Sequence, residues 1–254
     1  MCFITGLTLL QSCIAYPVVQ YSMNMPLSDT SKELKVGVNY GTDGAVIHTS
    51  YTPDTKHVLM ANFVSDANSA EGAVPHNFEG DIAAGYYYKL GARPDHQGGR
   101  FEVLGGLGYG NVNTQASVSD QSPWGDPTTN QTITGQFGQA YVQADIGGVR
   151  GRFEYGFGLQ AKYVYFSGND HIVQTQQNMY NLSEVNDYIN PFRTTSLFLQ
   201  IGCQVAYLFP HFKIYSGIGF SSTSGMIYIP WAGYNTYVPF YINIGVAANI
   251  FRIK

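Results

Sequence analysis

The sequence predicts an all-β fold, a transmembrane antiparallel up-and-down β-barrel of about ten strands, and three observations carry that expectation. Apolar and polar residues alternate with a period of two over runs of ten to fifteen residues. Strands in soluble sheets average about five or six residues, whereas a strand crossing a bilayer at a tilt needs about 9–11. Only 12% of the residues are charged and 15% are aromatic, with 29 glycines, yet the mean hydropathy is −0.09. A soluble domain carries about twice that share of charge, and a helical membrane protein would show 18 or more consecutive apolar residues. Finally, the connections alternate between short and long, as outer-membrane barrels alternate periplasmic turns with extracellular loops.

Ten segments pass the alternation test, at 32–40, 44–52, 57–65, 77–90, 100–112, 135–148, 152–166, 194–209, 211–222 and 237–251. The first three are weakly patterned, so eight or twelve strands stay open. In the fourth, Phe78, Ile82, Ala84, Tyr86 and Tyr88 oppose Glu79, Asp81 and Lys89. The fifth, "GRFEVLGGLGYG", looks at first like a phosphate-cradling loop, but Gly106, Gly108 and Gly110 recur at every second residue with Arg100 and Glu102. That spacing is a strand's; a dinucleotide fingerprint has G-x-G-x-x-G at a strand-to-helix turn. Phe101, Val103, Leu107 and Tyr109 are therefore expected to face lipid. The seventh sets Phe153, Tyr155, Phe157, Leu159, Tyr163 and Tyr165 against Arg152, Glu154, Gln160 and Lys162. In the eighth and tenth the pattern repeats, with Leu197 to Tyr207 at odd positions and Val238 to Ile250 at even ones facing outward. Four connections are short, "PDTK", "GARPDHQGG", "GVRG" and "PH"; the first, "GTDG", is short as well and breaks the alternation, and the longest, 167–193, is expected as a loop. An even count returns both termini to the short-turn, periplasmic side.

The first twelve residues, "MCFITGLTLLQS", have a short apolar core without a basic start and are expected to be a truncated signal peptide whose true start lies upstream. Leu10-Gln11-Ser12-Cys13 resembles a lipobox, so Cys13 is expected to be lipidated, with 13–31 as a periplasmic linker and 32–254 as the barrel. Then follow Pro17, Asn24-Met25-Pro26-Leu27 and Glu33, with "HVLMAN" at 57–62 and "GRFEV" at 99–103. In this order they resemble the small lipid-anchored outer-membrane β-barrel proteins of the Bacteroidetes, whose mature chains begin with a lipidated cysteine, a proline, an N-x-P-L element and a glutamate. The resemblance implies the location, with the anchor in the periplasmic leaflet and the long loops extracellular; the family supplies no catalytic activity.

Strand direction then places the polar residues by height. Glu79 and Asp81 are expected near the outer rim, where Lys162 meets them; Lys89, Arg100, Glu102, Asp145, Arg152 and Glu154 are expected to form a mixed network near the periplasmic end. A barrel of ten strands is only slightly wider than one that side chains just fill, so matched charges imply a packed plug. Above the membrane, Trp124 and the cluster Tyr228, Trp231, Tyr234 and Tyr237 are candidate extracellular binding residues. Asp170-His171 with Glu184 and Asp187, and His76 with Glu79, are the candidates for a rim hydrolase. The six histidines lack H-x-H or H-x-x-x-H spacing, so neither metal nor cofactor is expected. The net charge of −4 offers no basic stripe to nucleic acid. The expected role is therefore non-enzymatic, a surface binding or structural component that meets outer-membrane lipid and an envelope protein partner. The alternative is a narrow channel or small-solute transporter, and a rim hydrolase comes third.

Overall fold

A computed structural model describes residues 23–28, 30–42, 44–66, 77–91, 98–119, 128–167, 170–178, 181–190, 195–223 and 240–252. The strands are β1 (Glu33–Gly41), β2 (Gly44–Thr52), β3 (His57–Asp66), β4 (Asn77–Leu90), β5 (Gly99–Ser119), β6 (Thr128–Arg150), β7 (Phe153–Ser167), β8 (Asp170–Asn178), β9 (Asn181–Asn190), β10 (Thr195–Leu208), β11 (Phe212–Thr223) and β12 (Phe240–Arg252). Ten of them, β1–β7 and β10–β12, pair antiparallel in sequence order. The sheet closes where β1 meets β12, with Val38 opposite Val246. The expected ten-stranded up-and-down barrel is what the chain forms.

Burial is inverted relative to a soluble protein. Ile82 is 69% exposed, Leu107 65% and Ile244 62%, whereas Glu79, Glu102 and Asp145 are fully buried. Apolar side chains outside and polar ones inside satisfy a bilayer on one face and a packed interior on the other. The ten strands pair in a closed ring, so no barrel edge faces lipid. Low charge with near-zero hydropathy follows directly: half of each strand is apolar and the other half is polar or glycine.

Tight turns join strands at one rim. At the β6–β7 turn Gly151 adopts φ +63°, a conformation that a side chain would strain. In the β2–β3 turn, Asp54 accepts from the backbone N–H groups of Lys56 and His57, each at 2.8 Å, and pairs with the His57 ring. These contacts, the His57 N–H first, hold its carboxyl down to about 2. At this rim Phe153, Tyr207, Phe209 and Phe212 form a chain of ring contacts, with Phe209 and Phe212 stacked at 4.4 Å. Aromatic girdles of this kind mark the membrane interface.

The other rim departs from the expected outline. β5 and β6 run past the barrel, pairing from Val112↔Gly135 to Ser119↔Thr128. β8 then pairs with β6 from Thr128↔Gln177 to Ile133↔Ile172, and β9 pairs with β8. The stretch expected as the longest loop therefore contributes a hairpin to a four-stranded sheet, β5-β6-β8-β9, above the long-loop rim. Main-chain pairing builds it where no apolar alternation announces it.

Candidate functional site in the lumen

Inside the barrel the side chains form two polar levels, and the chain's own N-terminal segment occupies the lower one. Residues 23–28, expected in a periplasmic linker, are all buried in the lumen. They enter at the short-turn rim, where Thr52 Oγ1 donates to the Thr30 carbonyl at 2.6 Å. From there they climb to mid-height, where Met23 N–H reaches Tyr241 Oη at 3.3 Å. The correction has a physical cause: a lumen of this width cannot be filled from strands that carry glycine at the same level. Gly147 pairs with Gly156, and Gly158 with Gly202. A Cβ on Gly156 would lie 3.0 Å from Leu27 Cδ1 and 3.1 Å from Met25 Sδ. The missing side chains make an apolar slot, and Met23, Met25 and Leu27 fill it.

Charges then grip the segment's backbone. Glu102 accepts from the N–H groups of Leu27, at 3.0 Å, and of Ser28. The Leu27 carbonyl accepts from Arg100 Nη1 at 2.8 Å and from Lys35 Nζ at 3.1 Å, and Lys35 also reaches the Pro26 carbonyl at 3.0 Å. Arg100 continues to Glu154 at 3.1 Å, Lys213 closes on Glu154, and Lys35 lies 3.4 Å from Glu33. Leu27 is held at φ +45°, a left-handed conformation that a leucine adopts only when its surroundings impose it. Six charged side chains thus satisfy one another through a turn of main chain, which makes burial of the cluster tolerable.

Asn24 links the two levels. Its Nδ2 donates to Asn62 Oδ1 at 3.1 Å, and Asn62 Nδ2 donates to Asp81 at 3.0 Å, which also receives Tyr141 Oη at 2.6 Å. Gln143 donates to the Asn24 carbonyl and to Asp145, both at 2.8 Å, and Gln160 donates to Gln143 at 2.9 Å. Above them Lys162 Nζ stands 3.5 Å from Glu79 Oε1, which also accepts from Gln139. Phe137, Val164 and Phe198 are buried at the top of the lumen.

Of the residues singled out from sequence, the structure brings Glu79, Asp81 and Lys162 together in the upper network and Arg100, Glu102 and Glu154 in the lower one. Asp145 lies opposite Glu102 in the β5–β6 register. Lys89 and Arg152 do not join: both are exposed at the short-turn rim, and Arg152 donates to Tyr207 Oη at 3.2 Å. Polar parity continues to the last residue of a strand, but there the barrel opens to water. Lys35 and Lys213 take the places expected for them. Lys213 shares its parity with Tyr215 and Gly217 opposite Ile214 and Ile218, a signal already present in the sequence. Cys13, His76, Trp124, Tyr228, Trp231, Tyr234 and Tyr237 lie outside the described residues. Of the rim-hydrolase candidates, Asp170 pairs with Asn190, His171 with Ile189, Asp187 with Val173 and Glu184 with Thr175, all in the β8–β9 hairpin. Among the described residues no cluster of histidine, cysteine and carboxylate could hold a metal.

A closed antiparallel sheet with a lipid-compatible exterior, a polar packed interior and an aromatic girdle defines an outer-membrane β-barrel. No protein-family model matches the chain, and no curated protein matches it. Among solved structures it is similar to LpxR from Salmonella typhimurium, at 9% identity over 85% of this chain and 99% of that one, TM-score 0.30. It is similar also to a deltaS2 mutant of the TodX monoaromatic hydrocarbon channel, at 7% identity over 88% and 91%, TM-score 0.31. A third is OmpT, an outer membrane protein of Vibrio cholerae, at 8% identity over 85% and 95%, TM-score 0.20. At these values no activity transfers, and the fold rests on the strand pairing itself.

Proposed function

We propose that this protein is a sealed, non-enzymatic outer-membrane barrel that serves as a binding component of an envelope complex, with its working surface on the β5-β6-β8-β9 sheet. The single observation that supports this reading is that residues 23–28 and buried side chains of the strands occupy the lumen from the Leu27 turn up to Phe137. A barrel packed in this way offers a solute no path, so its role falls to what it displays at its rims. The four paired strands of the sheet above the long-loop rim provide such a display. In this reading the short turns face the periplasm, and Cys13 carries lipid. Cys13 lies ten residues before Met23, a span that extended chain covers in at most about 35 Å, so the anchor stays close to the barrel.

The test is a native pull-down from detergent-solubilised outer membranes, with a tag in the β2–β3 turn beside Pro53 and residues 170–190 replaced by a short Gly-Ser linker in a second strain. A stoichiometric envelope protein is expected with the full chain and absent from the shortened one, while both barrels keep heat-modifiable migration. The same co-purifying set from both strains would remove the sheet from the account.

A further inference from the structure

A cavity of about 450 Å³ opens at the short-turn rim between the β2–β3 turn, the end of β4 and the chain leading into β1. Lys56 and Lys89 line it together with Thr30, Ser31, Thr55, Tyr87 and Tyr88. Both lysines are exposed. Among the described residues neither ammonium has an ion-pair partner, whereas Lys35, Lys162 and Lys213 are each paired in the lumen. Thr30 Oγ1 is buried without a hydrogen-bond partner. The wall behind it is fixed, because Tyr87 Oη donates to the Asp54 carbonyl at 3.0 Å and ties the turn to β4. Asp54, in the adjoining β2–β3 turn, is already occupied by His57 and two backbone N–H groups.

We propose that this cavity is a binding site for the phosphate of an anionic phospholipid headgroup in the leaflet at the short-turn rim. Two cations without partners and the hydroxyl residues Ser31 and Thr55 supply the charge and the donors that a phosphodiester needs, and lysine serves phosphate as a mobile point charge. Position selects lipid over free phosphate. Tyr88 is 52% exposed on the outward face of β4, where tyrosine sits at headgroup level, so acyl chains can run down the barrel wall from the same cavity. Paired lysines at a membrane surface hold anionic lipid through charge and lose it when neutralised.

The full-length protein in detergent is titrated with phosphatidylglycerol and examined by native mass spectrometry beside two variants of equal charge loss. Lys56→Gln/Lys89→Gln empties the cavity of cations; Arg150→Gln/Arg152→Gln removes two cations from the β6–β7 turn on the same rim. One lipid per barrel is expected on the native protein and on the arginine variant, with retention about thirtyfold weaker on the lysine variant. Equal weakening in both variants would reduce the effect to net charge and overturn the site. Unchanged retention in the lysine variant would overturn it as well. Displacement of the lipid by an equal concentration of inorganic phosphate would make it a free-phosphate site and refute the lipid assignment.

Discussion

Glu102→Ala is expected to expel Met23–Ser28 from the lumen and to lower barrel stability by about 3–5 kcal/mol. The carboxylate is fully buried and accepts the N–H groups of both Leu27 and Ser28. Without it two donors are stranded at the centre of a charged cluster, where each unsatisfied group costs about 1–3 kcal/mol. Arg100 and Lys35 would still reach the Leu27 carbonyl, but they would then face a cluster that has lost a negative charge. Glu102→Gln retains one acceptor oxygen and is expected to fall between the native protein and the alanine variant. Denaturant midpoints in detergent give the stability order. Limited proteolysis reads the segment itself, because cleavage after Leu27 is blocked while the turn is held inside. Native-like protection of that bond in Glu102→Ala would show that the apolar slot alone retains the segment.

The second large effect belongs to the upper network. Lys162→Met leaves Glu79 without its cation, and Asp81 lies two residues along the same face of β4. Removing one partner of a buried pair costs about 3–5 kcal/mol because the remaining charge stays desolvated. Adding Glu79→Gln is expected to restore most of the loss: the glutamine oxygen can still accept from Gln139, and no unpaired charge is left at position 79 to desolvate. The same unfolding measurement on the single and double variants decides this. A double variant no more stable than Lys162→Met would mean that Lys162 acts through other contacts than its pairing with Glu79.

Much of this was legible in the sequence, and the reason is the period of two. From Phe78 to Tyr109 and from Phe153 to Val205, alternation distinguishes the lipid face from the lumen face, because a bilayer tolerates few polar outward residues. The ten barrel strands follow from that. Pattern failed where the environment is not two-sided. The residues of β8 and β9, "DHIVQTQQN" and "NLSEVNDYIN", read as loop because a hairpin above the membrane has no lipid face to fill with apolar side chains. Parity alone places Lys89 and Arg152 in the lumen, because it carries no information on where the rim meets water. The N-terminal plug was hidden for another reason: irregular chain has no period. Its trace lies instead in the receptor, where Gly147, Gly156, Gly158 and Gly202 leave a side-chain-free patch across three adjacent strands that something must fill. The N-x-P-L element is the piece that fills it, with its proline and leucine carbonyls held by Lys35 and Arg100.

A barrel sealed by its own chain passes no steady current, so a planar-bilayer recording of the full-length protein is the decisive measurement. The packed lumen predicts insertion without steady conductance at moderate voltage. A stable ohmic current on each insertion event would mean that a water-filled path runs past Leu27, Glu102 and Phe137, and would contradict the account.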